Sequence, residues 1–247
     1  MLRDAKRIAL LWVMLSAVTH AQRGAPPAPR AAAPIDLTGY WVSIVSEDWR
    51  YRMVTPTKGD FQGIPVTPDA AKAADAWDPD ADTKAGNQCR SYGAPAIMRV
   101  PGRFHFTWDN DTTLKLETDA GTQTRVFRFG TPAAAKPERT WQGESAAEWD
   151  LQPAGRGANT PRRGALKVVT SNLKSGYLRK NGIPYSEDAK LTEYFDVVRS
   201  RDGRTLLMVT SITEDPKYLR QPFIVSTQFL KQADARGWEP TPCSATW

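Results

Sequence analysis

The sequence predicts an all-β domain: an antiparallel meander barrel of about 8–10 strands, with one or two short helices in a long insertion. Three observations lead there. Beyond residue 34, apolar and polar residues alternate with a period of two through many short runs. Gly, Asn and Asp punctuate those runs at hairpin spacing. No strand–helix–strand rhythm, fixed repeat or heptad occurs, which argues against doubly wound, solenoid and coiled-coil architectures.

The amino-terminal region stands apart from this pattern. Arg3, Lys6 and Arg7 precede the apolar run Ile8 to Val18, and Thr19-His20-Ala21 offers a small-residue cleavage site. The run is too short to span a bilayer. Residues 1–21 are therefore read as a secretory signal peptide, which places the mature chain in the periplasm or outside the cell, without a transmembrane segment after cleavage. Residues 22–34 (QRGAPPAPRAAAP) form a Pro/Ala linker expected to be disordered or extended. Residues 35–247 are then one β-barrel domain.

Within that domain Tyr40, Val42 and Ile44 alternate with Trp41, Ser43 and Val45 along a first strand. In WRYRMV (49–54), Trp49, Tyr51 and Met53 alternate with the arginines, predicting a second. Residues 57–98 are rich in Pro, Gly, Asp and Ala, too long for a hairpin loop; Thr67 as N-cap and Pro68 at the first helical position predict a helix to about Ala76. The β pattern resumes with three strands separated by turns at Asn110-Asp111 and Asp119-Ala120-Gly121. RTWQGESAAEWDL and GALKVVTSNL continue it. Arg201-Asp202-Gly203 joins the next two strands as a hairpin, and QPFIVSTQFLK is the last. Residues 175–188 (SGYLRKNGIPYSED) are expected to be a solvated loop, with its basic and aromatic residues rimming a cavity mouth as the alternative.

Composition narrows function. The chain carries 33 basic and 27 acidic side chains, a net charge of +6; removal of residues 1–21 leaves a net of about +4. Both signs are scattered and form no basic stripe, which argues against a nucleic-acid partner. The two cysteines, Cys89 and Cys243, read as one disulfide in an oxidising compartment. Closing so long a loop stabilises by roughly 4–5 kcal/mol. His105 is the single histidine after residue 21, too few for a common zinc or copper site, so no metal is expected. Neither a P-loop nor a dinucleotide-binding glycine motif occurs, so no cofactor is expected. Gly143 to Ala147 (GESAA) lacks the strand–turn–helix setting of a nucleophile elbow.

Two charged residues fall on apolar strand faces. Glu193 shares a face with Leu191, Phe195 and Val197, and Arg125 shares one with Phe127 and Phe129. A buried charge requires a partner, so Arg125, or alternatively Arg99, is expected to pair with Glu193 at the polar centre of the barrel. Nine tryptophans are present, one of them in the signal segment; aromatic stripes of this kind either fill a core or line an apolar cavity. The expected ligand-facing set is Arg125, Glu193, His105, Trp108, Trp149 and Arg99. Were the barrel an enzyme, Glu193 or Glu144 would supply its carboxylate; Glu148, Glu214 and Asp215 are further acidic candidates, Asp215 with turn-capping as its simpler role.

The ordered series DLTGYW, CRSYGAP, TQTRVFRFG, GESAAEW, LKVVTSNL, NGIPYSEDAKLTEYFDV and TSITEDPKYLRQPF resembles a large group of exported bacterial proteins of uncharacterised activity, over most of residues 36–232. The resemblance implies export and a shared fold, and no mechanism. More distantly, Gly39-Tyr40-Trp41 resembles the Gly-x-Trp signature of lipocalins and other calycins, in which the Trp closes the barrel base against an Arg of the last strand. The last strand here has no Arg. The resulting expectation is an exported, lipocalin-like barrel holding a small apolar or aromatic molecule. A barrel isomerase, hydratase or glycan hydrolase, and a filled-barrel structural or interaction module, are the alternatives.

Overall fold

The computed structural model describes residues 26–130, 138–152 and 163–246. The signal-peptide assignment of residues 1–21 lies outside the described residues, as do linker residues 22–25. The described strands are β1 (Gly39–Ile44), β2 (Arg103–Asn110), β3 (Thr113–Thr118), β4 (Thr124–Phe129), β5 (Glu144–Leu151), β6 (Gly164–Ser171), β7 (Gly176–Tyr177), β8 (Pro184–Tyr185), β9 (Lys190–Arg199), β10 (Thr205–Glu214) and β11 (Phe223–Lys231). β7 and β8 pair only with each other. The other nine close a barrel in the order β1-β11-β10-β9-β6-β5-β4-β3-β2.

A closed ring of nine strands cannot reverse direction at every step, so one neighbouring pair must run parallel. That pair is β4–β5, with Phe127 opposite Ser145, and it corrects the expectation of a purely antiparallel meander. Its cost in chain length is residues 130–143, the crossover that a parallel pair requires.

Alternation fills the interior. Trp41, Phe104, Phe106, Leu114, Leu116, Phe127, Leu166, Val168, Phe195, Leu207, Val209 and Phe229 all point inward and are buried. The two rims differ. At one, Trp108, Phe129 and Trp149 pack with ring centroids 5.2–6.5 Å apart. The segment expected to be a free linker docks here: Trp149 Nε1 donates to the Pro29 carbonyl (2.8 Å), and the Arg30 amide donates to the Asp111 carbonyl (3.0 Å). Residues 26–34 are turned and anchored because this apolar rim would otherwise stay wet.

The opposite rim carries the long connections, 45–102, 172–189 and 215–222, together with the carboxy-terminal segment. Helices α1 (Trp49–Met53), α2 (Pro68–Asp75), α3 (Pro79–Lys84) and α4 (Ala94–Ile97), with a 3-10 turn at Gln88–Tyr92, lie in the first connection. Thr67 caps α2, its hydroxyl accepting from the Ala70 amide at 3.2 Å, as its sequence predicts. Ile97, Met98 and Val100 plug the barrel mouth, while Ile64, Ala74, Leu178, Ile183, Tyr185, Leu219 and Phe223 form a second apolar core above it. This cap is the main departure from the sequence-based picture.

Two corrections concern the cap. Residues 49–54 are one helical turn, not a strand; Arg52 is 1 % exposed whereas Trp49 is 62 % exposed. Burial of Arg52 follows from its partners, the Arg99 carbonyl (2.9 Å) and Glu47, and overrides the alternating pattern. Residues 178–186, expected to be solvated, are buried throughout. Their polar groups are met internally: the Leu178 amide by the Ile183 carbonyl (2.7 Å) and the Ser186 amide by Asp215 Oδ2 (2.6 Å). Asp215 Oδ1 also accepts from the Lys217 amide at 2.9 Å, so it caps its turn while anchoring this connection.

Trp41 is fully buried, and its Nε1 donates to the Leu37 carbonyl at 2.8 Å. Lys231, opposite it in register, places Nζ 4.5 Å from the ring centroid and donates to the Thr38 carbonyl. A lysine at the end of the last strand thus covers the tryptophan where an arginine was sought. Gly39 adopts φ +87°, and a Cβ there would meet Lys231 Nζ at 3.3 Å, so the turn into β1 favours glycine. Cys89 and Cys243 are bonded, with Cα atoms 5.1 Å apart, tying the carboxy terminus to the cap.

Trp41→Ala is expected to lower unfolding free energy by about 3–5 kcal/mol, a large share of the roughly 5–15 kcal/mol of a typical domain; urea denaturation measures it, and an unchanged midpoint would contradict the role given to Trp41. Denatured, unreduced protein is expected to show no reactive thiol on maleimide labelling, and reduction is expected to cost about 5 kcal/mol of stability.

Candidate functional site

The polar centre deduced from the two strand faces forms. Arg125 Nη1 and Nη2 meet Glu193 Oε1 and Oε2 at 3.0 and 2.5 Å, both side chains fully buried. Arg125 Nη2 also reaches Thr170 Oγ1 at 3.3 Å, and that hydroxyl shares a hydrogen bond with Ser145 at 2.8 Å. The two-point geometry uses both carboxylate oxygens. Glu193 lies between Leu191, which packs in the cap core, and Phe195, which packs in the barrel core. The pair therefore braces the junction of the two cores.

The other expected ligand-facing residues do not converge on it. His105 points outward, stacked on Tyr40 at 4.0 Å, with Nδ1 3.5 Å from Glu117. Trp108 and Trp149 close the far rim. Arg99 lies in the cap, where Nη2 donates to Asp48 Oδ2 at 2.9 Å rather than to Glu193. Glu144, next to the inward Ser145 on β5, takes the outer face by strand alternation. Glu148 is on the same face and pairs with Lys167 at 2.8 Å.

Three cavities among the described residues lie outside the barrel bore. Two are open grooves on the strand walls: one of about 1120 Å³ along β6, β9 and β10, and one of about 590 Å³ beside β1 and α1. A third, of about 300 Å³, is set into the cap between α2, α3 and the β7–β8 pair. Trp77, Tyr177, Tyr185 and Tyr218 supply its aromatic walls. On one side Asp82 accepts from Arg90 Nη1 (3.0 Å) and from the Tyr177 hydroxyl (2.8 Å), and Arg90 also donates to that hydroxyl at 2.9 Å. Burial, and then the hydrogen bond to Asp82, push the Tyr177 hydroxyl pKa above its usual value, so it stays a neutral donor. Trp77 Nε1 and the Tyr185 hydroxyl are buried without a hydrogen-bond partner in the protein.

Local sequence explains the placement. Pro79 after Asp78 starts α3, Asp78 accepting from the Asp80 and Ala81 amides at 2.9 and 3.1 Å, and this orients Asp82 inward. Gly182, at φ +80°, passes so close to Trp77 that a Cβ would fall 2.2 Å from the tryptophan Cβ. Sequence reasoning missed this pocket because its walls come from segments about a hundred residues apart. The usable signal was the tyrosine pair in a segment too apolar for a free loop: Tyr177, Leu178, Ile183 and Tyr185.

Comparison with protein-family models, curated proteins and solved structures finds no match to this chain. Among the described residues no cluster of three or more His, Cys, Asp or Glu side chains could hold a metal ion, and no helix is long and apolar enough to cross a membrane.

Glu193→Gln is expected to cost about 3–5 kcal/mol, because Arg125 is left buried and uncompensated, whereas the double variant Arg125→Met/Glu193→Leu should return to native stability or above. Denaturant midpoints of the singles and the double provide the test; a single variant as stable as the native protein would remove the brace.

Proposed function

We propose that this is an exported β-barrel binding protein whose small-molecule site is the cap pocket and not the barrel bore. The pocket itself carries the reading. A volume of about 300 Å³ matches the lower end of ligand sites, and such sites combine apolar and aromatic walls with a few convergent polar groups. The ligand class that fits is a small, flat aromatic molecule bearing one hydrogen-bonding group. Stacking on Trp77 or Tyr177 would supply affinity. The Asp82–Arg90–Tyr177 network would supply orientation, since both its charges already compensate each other and favour a neutral partner. Support for export comes from the signal-like amino terminus, the disulfide between Cys89 and Cys243, and the resemblance to exported bacterial proteins.

The packed barrel favours a second reading, a structural or interaction module whose cap pocket is incidental. Catalysis by Glu193 draws no support from its surroundings, since the carboxylate is fully buried and both oxygens are occupied by Arg125.

Native mass spectrometry of protein purified from the exporting cell separates the two readings. The binding reading expects a retained small molecule that is absent from Ala73→Trp, a change that fills the pocket from a partly exposed position on its wall. Equal retention in both proteins, or none in either, favours the module.

A further inference from the structure

We propose that a second site in the cap, between α1 and the start of the β7–β8 connection, binds a small monovalent anion of about the size of chloride on Arg52, Arg99 and Arg179. It is independent of the aromatic pocket.

The three guanidiniums come from segments far apart in sequence, yet they line one cavity of about 20 Å³. All three residues are buried: Arg52 at 1 %, Arg179 at 4 % and Arg99 at 7 % exposure. Their partners account for only part of their charge and donors. Arg52 donates to the Arg99 carbonyl and pairs with Glu47, but its Nη2 is buried and unpartnered. Arg99 pairs with Asp48. Arg179 donates to two carbonyls, those of Asp60 (3.3 Å) and Gln62 (2.9 Å), and stacks over Tyr51 at 4.0 Å; its Nε is buried and unpartnered. Among the described residues no carboxylate bonds to Arg179; Asp48 and Asp60 attract it only from a distance. The nearby Asp60 carboxylate is taken by Arg50 on the outside.

Three buried cations thus share two ion-paired carboxylates, Asp60 being taken by Arg50, and those two sit at the rim, 32 % and 44 % exposed, where water screens them. Burial, and then repulsion from Arg179, lower the pKa of Arg99 to about 10, with Asp48 and Glu47 opposing the shift. Lys180 also lines the cavity, but its ammonium is engaged by the Tyr92 hydroxyl (2.7 Å) and the Thr246 carbonyl (3.4 Å), so the charge balance is taken over the three guanidiniums.

Buried donors without acceptors, and a buried positive charge without a counter-charge, are both costly, and one anion relieves both. Charge and size select it. The excess over Glu47 and Asp48 is one unit, which a monovalent ion neutralises. The cavity admits roughly one water-sized species, which suits a halide and excludes a phosphate or sulfate unless the cap opens.

The test uses the full exported chain and sodium chloride as probe. Line broadening of the chloride-35 resonance is expected to saturate with chloride concentration and to be displaced by bromide. Arg99→Met should abolish it. Since that variant could fail to fold, Asp48→Asn provides the opposite sign: asparagine tolerates the left-handed conformation at this position (φ 50°), removes one rim charge, and should tighten chloride binding roughly tenfold. Loss of broadening in Arg99→Met with native circular dichroism, together with tightening in Asp48→Asn, supports the site. Broadening that never saturates, affinity unchanged in Asp48→Asn, or displacement by phosphate at lower concentration than bromide would overturn it.

Discussion

The structure depends on one buried ion pair. Arg125 and Glu193 stand at the level where the barrel ends and the cap begins; Glu193 lies between Leu191 of the cap core and Phe195 of the barrel core, and Arg125 lies next to Phe127 of the barrel core, on its cap side. Such a pair contributes little net stability compared with apolar side chains of the same volume. What it imposes is register. A one-residue slip of β4 or β9 would carry its charge to the outer face and its polar neighbours into the core. Thr170 and Ser145 extend the constraint to β6 and β5. Four neighbouring strands, including the parallel pair, are thereby held in one alignment at the rim that bears the cap.

The barrel is asymmetric because its connections are. Short turns and the docked segment 26–34 close one rim; the long connections and the carboxy terminus converge on the other. The result is two apolar cores of different character. The barrel core is filled by aromatic and aliphatic side chains in strict alternation. The cap core is assembled from short helices and a buried hairpin whose backbone groups are met one by one, by Asp215 and by Asn181 contacts to the Thr57 and Asp60 carbonyls, and the disulfide fastens the last residues to it at Cys89. Irregular backbone of this kind cannot satisfy its own polar groups in a ladder, so it leaves clefts lined by polar side chains. Both proposed sites lie in the cap for that reason.

The arginines show the contrast most directly. Arg125 in the barrel meets one carboxylate at two points and carries no excess charge. Arg52, Arg99 and Arg179 in the cap share two rim carboxylates and several carbonyls. A charge buried in a regular sheet has a fixed facing position that a complementary residue can occupy. A charge buried among loops is held by carbonyl dipoles, which orient it without neutralising it. A cluster of guanidiniums with fewer bonded carboxylates than charges is therefore found in the cap, as the aromatic pocket is.

The sequence by itself determined whatever rests on local period and pairwise necessity. Two-residue alternation gave the strands and their inward faces, Thr67-Pro68 the start of α2, Gly203 its hairpin, and two cysteines their bond. A charge on each of two apolar faces was enough to pair Arg125 with Glu193, because an unpaired buried charge is untenable wherever it lies. Only the tertiary structure decided the rest. Nothing local distinguishes Trp49-Arg50-Tyr51-Arg52 as a strand from the same residues as a helical turn that buries its arginine; the Arg99 carbonyl and Glu47 made that choice. Beyond the apolar character of Leu178, Ile183 and Tyr185, nothing local says that residues 178–186 are interior, since their hydrogen-bond partners lie as far away as Thr57 and Asp215. Closure of nine strands required a parallel pair, but only the tertiary structure showed it to be β4–β5. Lys231 covers Trp41 because register brings them together. The cap, and with it both candidate sites, arises from contacts among distant segments, and such contacts leave no periodic trace in the chain.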